Sequence, residues 1–120
     1  MSQSAMEAVR PQYRQPATDE TLVTDSEAMQ GVLDALDDAD CRAILEATSE
    51  NARSATELAD ACDIPLSTVY RKLDQLSDAG LLAERTRVSL DGRHTSEYER
   101  TVEEVTLTVD ADGAFSLRVA

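Results

Sequence analysis

Apolar residues between positions 24 and 80 recur every three to four positions, which is the spacing of one face of a helix. The predicted helices lie at about 24–36, 39–48, 55–62 and 66–79. Two of these segments begin with a hydroxyl residue followed three positions later by Glu, the spacing of a capping box: Thr24 with Glu27, and Ser54 with Glu57. Gly80 follows the last segment as a typical residue just beyond a helix C-terminus.

After the last predicted helix the apolar positions alternate, which predicts strands. A first strand at about 81–88 is followed by a turn at Asp91-Gly92 and by a long extended segment. The apolar residues of that segment change face near Glu103-Glu104, where we expect a bulge or a break. Asp112-Gly113 predicts a second hairpin.

These elements together predict an α+β fold with helices at about 25–79, a hairpin at about 81–102 and an added C-terminal β-hairpin. Residues 1–23 are polar and aperiodic, and we predict a flexible tail there. The predicted domain therefore covers 24–102, and 103–120 form an extension. The extension has an apolar face too large to leave exposed, so it either covers the hairpin or contacts a second subunit, and dimerisation is the favoured interpretation.

The most specific pattern is the segment 56–73, which reads TELADACDIPLSTVYRKL. Ala59 is small, as required where two helices approach closely, and Asp63 tolerates the left-handed backbone of a tight turn. Ile64 provides an apolar plug for the turn, and Leu73 places the second helix on the core. The combined pattern resembles the helix-turn-helix of winged-helix regulators, whereas any one of these residues also fits an ordinary helical hairpin with a solvated face.

The resemblance implies that the helix at about 66–79 is a recognition helix in the major groove of double-stranded DNA. Arg71 points away from the apolar side of this helix and has the geometry to donate two hydrogen bonds to guanine. Tyr70 and Lys72 lie at the borders of the outward face and are expected to contact phosphates. The predicted DNA contacts of this helix are Ser67, Thr68, Tyr70, Arg71, Lys72 and Gln75.

The segment after the recognition helix resembles the wing of ArsR-type and related archaeal regulators, so that the resemblance covers about 27–100. It implies that a wing at about 85–97 lies on the DNA backbone or in the minor groove. The predicted DNA contacts of the wing are Arg87, Arg93 and His94. The alternative is an exposed hairpin whose arginines pair with Glu97 and Glu99; we favour this alternative for Arg85 and DNA contact for Arg93.

The net charge of −13, from 24 acidic and 11 basic residues, is opposite to that of ordinary DNA-binding domains. Lys72 is the single lysine, and strong acidity with almost no lysine resembles the proteins of salt-accumulating halophiles. The positive and negative residues of 64–100 balance, so a surface for nucleic acid is expected in that segment. The resemblance to small haloarchaeal ArsR-like regulators further implies a homodimer that reads two half-sites of double-stranded DNA.

Other function classes have less support in the sequence. Cys41 and Cys62 lie on predicted apolar faces, which favours buried thiols over a redox-sensing pair, and His94 is the single histidine, so no metal site or other cofactor is expected. No apolar run is long enough for a transmembrane helix or a signal peptide, so we expect a cytoplasmic protein. No motif of an enzyme is present, and the main alternative to DNA binding is a winged helix that contacts another protein.

Overall fold

The computed structural model describes residues 20–120, so the predicted tail lies outside it up to position 19. Within these residues, four helices and six strands follow one another. They are β1 (Thr21–Val23), α1 (Ser26–Asp37), α2 (Ala39–Ala47), β2 (Arg53–Ser54), α3 (Ala55–Cys62), α4 (Leu66–Asp78), β3 (Leu82–Val88), β4 (His94–Arg100), β5 (Val105–Val109) and β6 (Phe115–Val119). The four predicted helices are confirmed, with ends that differ by at most two residues.

Side-chain caps explain where the first three helices begin. The capping box at the start of α3 is confirmed: the Ser54 amide donates to Glu57 Oε1 at 2.9 Å, and the Glu57 amide donates to Ser54 Oγ at 3.2 Å. The capping box predicted at Thr24 is wrong. Asp25 is the N-cap of α1 and accepts from the Ala28 amide at 2.8 Å, because a carboxylate one position later reaches the first turn.

The helices are followed by an antiparallel hairpin, β3–β4, to which the short strand β2 adds a third strand. We call these three strands the wing sheet. Arg85 lies opposite Glu97, and Ser54 of β2 lies opposite Glu97 on the other side of β4. Gly92 has a φ of 85° in the turn at the hairpin tip, where only glycine adopts this backbone freely.

A second antiparallel sheet has the order β1-β6-β5, and we call it the C-terminal sheet. The predicted C-terminal hairpin is confirmed as β5–β6. The predicted break in the long extended segment is also confirmed, because residues 101–104 separate β4 from β5. The tail prediction is wrong for its last residues, because Thr21–Val23 pair with β6. These three residues close one edge of the sheet.

One hydrophobic core joins the helices to both sheets. Its fully buried side chains include Ile44, Leu58 and Leu73 from the helices and Leu117 from β6. Burying an aliphatic side chain of this size stabilises the fold by about 1.5–3 kcal/mol, so the C-terminal sheet contributes to the same folded unit. Within residues 20–120, no helix has both the length and the apolarity to cross a membrane.

Candidate nucleic-acid interface

The turn between α3 and α4 has the geometry predicted from the sequence. Asp63 adopts the left-handed backbone (φ 57°, ψ 51°), and the Ile64 amide donates to the Ala59 carbonyl at 3.1 Å. Ile64 is half-buried against the core, and Val69 is fully buried one turn into α4. The turn therefore fixes α4 on the core by one side and leaves its opposite side at the surface.

The exposed side of α4 carries some of the residues predicted to contact DNA but not all of them. Ser67, Tyr70 and Arg71 are exposed, and Tyr70 keeps half of its surface accessible (50%). Thr68 and Gln75 are less exposed than these three residues: both are half-buried and lie nearer the core. The side chains available to a partner are thus a hydroxyl, a phenol and a guanidinium within about one helical turn.

Arg71 is one of the cations in the described chain that have no carboxylate within 4.0 Å. Among residues 20–120, five cations are within 4.0 Å of a carboxylate oxygen, and Arg71 is not one of them. The five are Lys72, Arg85, Arg87, Arg93 and Arg118. An exposed, uncompensated guanidinium on a surface helix is free to bind an anion or a base edge.

The first turn of α4 also differs from that of the other helices. Its N-cap is Pro65, which provides no side-chain hydrogen bond, and its first turn contains no acidic residue, whereas each of the other three helices has one there. The Thr68 and Val69 amides donate to the Pro65 carbonyl, and within the described chain the Leu66 and Ser67 amides have no acceptor. The positive end of the helix dipole is therefore exposed beside Arg71.

Lys72 is directed inward. Its Nζ is 2.5 Å from Asp38 Oδ2, and its side chain is only 15% exposed. Asp38 also caps α2 by accepting from the Cys41 amide at 3.0 Å, so the ion pair joins α4 to the start of α2. The hydrogen bond from Lys72 holds the pKa of Asp38 below its ordinary value. This geometry supports a structural role for Lys72 rather than the predicted phosphate contact.

The wing arginines form one ion-pair network with three glutamates. Glu97, whose side chain is 9% exposed, is 3.5 Å from Arg85 Nε and 3.5 Å from Arg87 Nη1. Arg85 also contacts Glu99 at 3.0 Å, and Arg87 contacts Glu57 at 3.6 Å. Because Glu57 belongs to the capping box of α3, the network connects the wing sheet to the helices. The pairing favoured from the sequence for Arg85 is thus seen, and Arg87 has the same environment.

The tip of the wing is the most exposed part of the hairpin. Arg93 keeps 80% of its side chain accessible although its Nε is 3.1 Å from Asp91 Oδ2. His94 is exposed, and Leu90 is entirely exposed at the turn. Ser89 donates to Asp91, which closes the turn. A pair this accessible exchanges readily with another anion, because exposed ion pairs contribute little stability.

A hydroxyl-lined cavity of about 360 Å³ separates α4 from the wing sheet. Residues that the sequence reasoning missed line it, because they come from four elements, β2, α3, β3 and β4, that are distant along the chain. They are Ser54, Thr56, Glu84, Thr95, Ser96 and Tyr98. Burial, followed by the nearby carboxylate of Glu84, raises the pKa of Tyr98, so its phenol remains a hydrogen-bond donor at neutral pH.

The two thiols are separate from this surface. Cys41 is fully buried, and burial raises its pKa to about 11, while burial likewise raises the pKa of the half-buried Cys62. Thiols with a raised pKa react slowly, which does not support the redox alternative. In the described part of the chain, no group of three or more His, Cys, Asp and Glu side chains is arranged to hold a metal ion.

Comparison with protein families matches the part of the chain that contains α3 and α4. Residues 36–85 match the family of the helix-turn-helix domain. Residues 36–85 therefore have the fold of a helix-turn-helix domain. The match begins at the end of α1 and ends within β3, so it includes the two crossed helices α3 and α4 but not the tip of the wing or the C-terminal sheet. Comparison with curated proteins gives no match.

The helix-turn-helix and the hairpin that follows it together define the fold class. Four helices are followed by the antiparallel β3–β4 hairpin in the position of a wing, so the fold is an α+β winged helix-turn-helix. Helix-turn-helix domains are typical of DNA-binding regulators, in which the second helix of the motif faces the major groove. In this chain the second helix is α4, on which Arg71 lies.

Proposed function

We propose that the protein is a sequence-specific regulator that binds double-stranded DNA, with α4 as the recognition helix in the major groove. The observation that carries this proposal is the uncompensated Arg71 on the exposed side of α4, beside a helix N-terminus without a carboxylate. A guanidinium in this position has the geometry to donate two hydrogen bonds to a guanine. Ser67 and the free amides of the first turn are suited to an adjacent phosphate.

The wing contributes to the proposed complex chiefly through its tip. Arg93 and His94 are exposed and reach beyond the ion-pair network, so they are the proposed contacts with the backbone or the minor groove. Arg87 is shared between two glutamates, so its contact with phosphate requires exchange of those partners. We therefore propose Ser67, Tyr70, Arg71, Arg93 and His94 as the DNA-facing residues, whereas Thr68 and Gln75 are half-buried nearer the core. Lys72 is left out because it is held by Asp38.

Contacts with base edges contribute more to the binding free energy of the proposed complex than contacts with phosphates do. The chain has a net charge of −13, and five of its described cations already have carboxylate partners. Phosphate contacts lose their contribution as salt rises, whereas contacts with base edges do not depend on released counterions. We propose a halophilic, ArsR-like cytoplasmic regulator whose specific binding persists at salt concentrations that remove ordinary regulators from DNA.

The deciding experiment compares Arg71→Ala with Arg118→Ala on a DNA site selected from a random library. Loss of a bidentate contact with guanine costs about 1–3 kcal/mol, so Arg71→Ala should weaken specific binding by roughly 5- to 150-fold. Arg118 pairs with Glu20 in the C-terminal sheet, far along the chain from α4, and its substitution should leave affinity unchanged. Equal affinity of both variants would contradict the proposal, and failure to select any site would favour a domain that binds protein.

We also propose that the protein is a homodimer whose subunits meet through the C-terminal sheet. The face of this sheet is buried near Leu117 but open toward the hairpin tip, where three large apolar side chains remain about half exposed. They are Leu107 (46%), Val109 (54%) and Phe115 (54%). Analytical ultracentrifugation of Phe115→Ser should show a monomer where the unmodified chain is a dimer. A dimer in both proteins, or a monomer in both, would contradict this interface.

A further inference from the structure

Four cations in residues 20–120 have no carboxylate within 4.0 Å: Arg42, Arg53, Arg71 and Arg100. Arg71 belongs to the proposed DNA surface, and Arg53 donates from Nε to the Ala47 carbonyl at 2.8 Å. The other two, Arg42 and Arg100, lie on different elements, α2 and the end of β4, yet they line the same cavity. Two uncompensated cations thus share one site in a chain with 24 acidic residues.

The cavity has a volume of about 410 Å³ and is open to solvent on one side. Arg42 donates from Nη1 to the Leu36 carbonyl at 2.8 Å, which fixes the guanidinium and leaves its other N–H groups without an acceptor in the described chain. Arg100 makes no hydrogen bond through its side chain to any residue in 20–120. The remaining walls are Ala39, Ala43 and Leu45, which are apolar, and Glu46.

Glu46 lines the cavity but forms no ion pair with either arginine. It lies one turn after Arg42 on α2, the spacing at which a helix usually forms an ion pair, but its carboxylate is farther than 4.0 Å from both guanidinium groups. Two guanidinium groups beside one cavity repel each other unless an anion lies between them. Arginine presents a planar set of N–H donors that matches a carboxylate or a phosphate in two-point contact.

The location of the cavity separates it from the proposed DNA surface. β4 begins at His94 near the wing tip and ends at Arg100, and six residue steps along a strand span about 20 Å. Arg42 is on α2, whereas DNA faces α4 in the proposed complex. These positions favour a small-molecule ligand over the DNA backbone.

We propose that Arg42 and Arg100 form a binding site for a small organic anion that carries a carboxylate or a phosphate group. The two guanidinium groups bind the anionic end, and the apolar walls contact the rest of the molecule. Because Arg100 ends the strand that continues into the wing, such a ligand lies at the base of a DNA-contacting element. The site does not depend on whether the protein binds DNA.

The test uses the full chain and three probes at constant ionic strength: inorganic phosphate, succinate and phenyl phosphate. Binding is followed by amide and arginine Nε resonances in two-dimensional NMR. Saturable shifts are expected at the Arg42 and Arg100 side chains and at the amides around them, with phenyl phosphate binding more tightly than inorganic phosphate because of the apolar walls. Arg100→Gln and Arg42→Gln should each weaken binding by about tenfold or more, and Arg118→Gln, which removes a cation already paired with Glu20, should not.

Several results would overturn the proposal. Shifts that increase linearly with every probe, or that are the same in Arg100→Gln as in the unmodified chain, exclude a site. Shifts of the Arg42 and Arg100 signals on dilution without any probe would show that a second copy fills the cavity. A shift of the same signals by duplex DNA, with competition by phosphate, would show that the cavity belongs to the DNA surface. None of these outcomes depends on the Arg71 experiment, so the two proposals fail separately.

Discussion

Glu97 has opposite expected effects on stability and on DNA binding, which makes its substitution a sharp test of the wing network. It is a nearly buried carboxylate that two arginines share, with 3.5 Å to each. Glu97→Gln keeps the size of the side chain and one acceptor oxygen but removes the charge. We expect a less stable protein that binds DNA more tightly, because the carboxylate both stabilises the wing and neutralises its cations.

The expected loss of stability is modest because the arginines are open to water. At 3.5 Å and an effective dielectric constant of 20, one pair has a Coulomb energy of about 5 kcal/mol. Arg85 and Arg87 are 57% and 44% exposed, however, and pairs of this kind contribute about 0.2–1 kcal/mol each. Because the carboxylate that the two pairs share is buried, each pair should contribute near the upper end of this range. Glu97→Gln should therefore lower the free energy of unfolding by about 1–2 kcal/mol.

The expected gain in DNA binding comes from removing one of the two carboxylates that each of these arginines contacts, since Arg85 keeps Glu99 and Arg87 keeps Glu57. Each additional phosphate contact steepens the dependence of log K on log salt by about 0.9. Because one negative charge is lost from the network, Glu97→Gln should bind DNA of unrelated sequence more tightly at low salt, with a slope steeper by about one unit at most. Specific binding through Arg71 should change little, so the ratio of specific to nonspecific affinity should fall.

The assay combines urea unfolding, followed by circular dichroism, with fluorescence anisotropy on DNA over a range of KCl concentrations. Glu99→Gln is the matched control, since this glutamate is 44% exposed and contacts Arg85 alone, at 3.0 Å. Glu99→Gln should lower the free energy of unfolding by less than about 0.5 kcal/mol and should change the dependence of log K on log salt little. The reasoning is refuted if Glu97→Gln is as stable as the unmodified chain, or if both variants shift nonspecific binding equally.

Four further outcomes are expected. Leu58→Ala, at a fully buried position, should lower the unfolding free energy by about 2–5 kcal/mol, whereas Leu90→Ala at the exposed wing tip should change it by less than about 0.5 kcal/mol in the same urea assay. Ser54→Ala should cost about 1 kcal/mol through loss of the α3 cap, and Ser67→Ala, in a helix without a side-chain cap, should cost less. The pKa of Asp38 is lowered in the folded chain, so the contribution of its carboxylate to the free energy of unfolding is complete above the ordinary carboxyl pKa and is lost as pH falls below about 4. Asp38→Asn can still cap α2, and it should remove this part of the pH dependence of the unfolding free energy. A thiol reagent at neutral pH should modify Cys62 before Cys41, and labelling of Cys41 should require unfolding; equal rates would contradict the burial that raises its pKa to about 11.

Features set by neighbouring residues were predictable from the sequence. The capping box at Ser54, the left-handed Asp63 and the helical faces depend on contacts within four positions, and all are confirmed. The error at Thr24 has the same local origin, because Asp25 competes for the first turn of α1 and its carboxylate is the better placed acceptor. Spacing alone does not distinguish two adjacent candidate caps.

Features set by distant residues were not predictable. Thr21–Val23 form a strand only because β6, almost 100 positions later, offers an edge for pairing. Lys72 lies at the border of the apolar face of α4, as the helical spacing indicated, but its partner Asp38 is 34 positions away. The same holds for Arg87, whose contact with Glu57 depends on how the wing sheet packs beside α3. The pairing of Arg85 could be predicted because its glutamates lie in the same hairpin, whereas the sequence alone does not show which charged residues of distant elements neutralise one another.

That distinction bears directly on how an acidic chain could read DNA. The segment 64–100 has equal numbers of positive and negative side chains, and composition alone would give each cation the same weight. In the folded chain Arg85, Arg87 and Arg93 of the wing hairpin are paired with carboxylates, whereas Arg71 on α4 is not. Attraction to any duplex is therefore weak, while Arg71, the uncompensated cation of the recognition helix α4, is directed at the groove in the proposed complex. Such a surface has a low affinity for DNA of unrelated sequence, so the proposed base contacts must supply most of the free energy of binding.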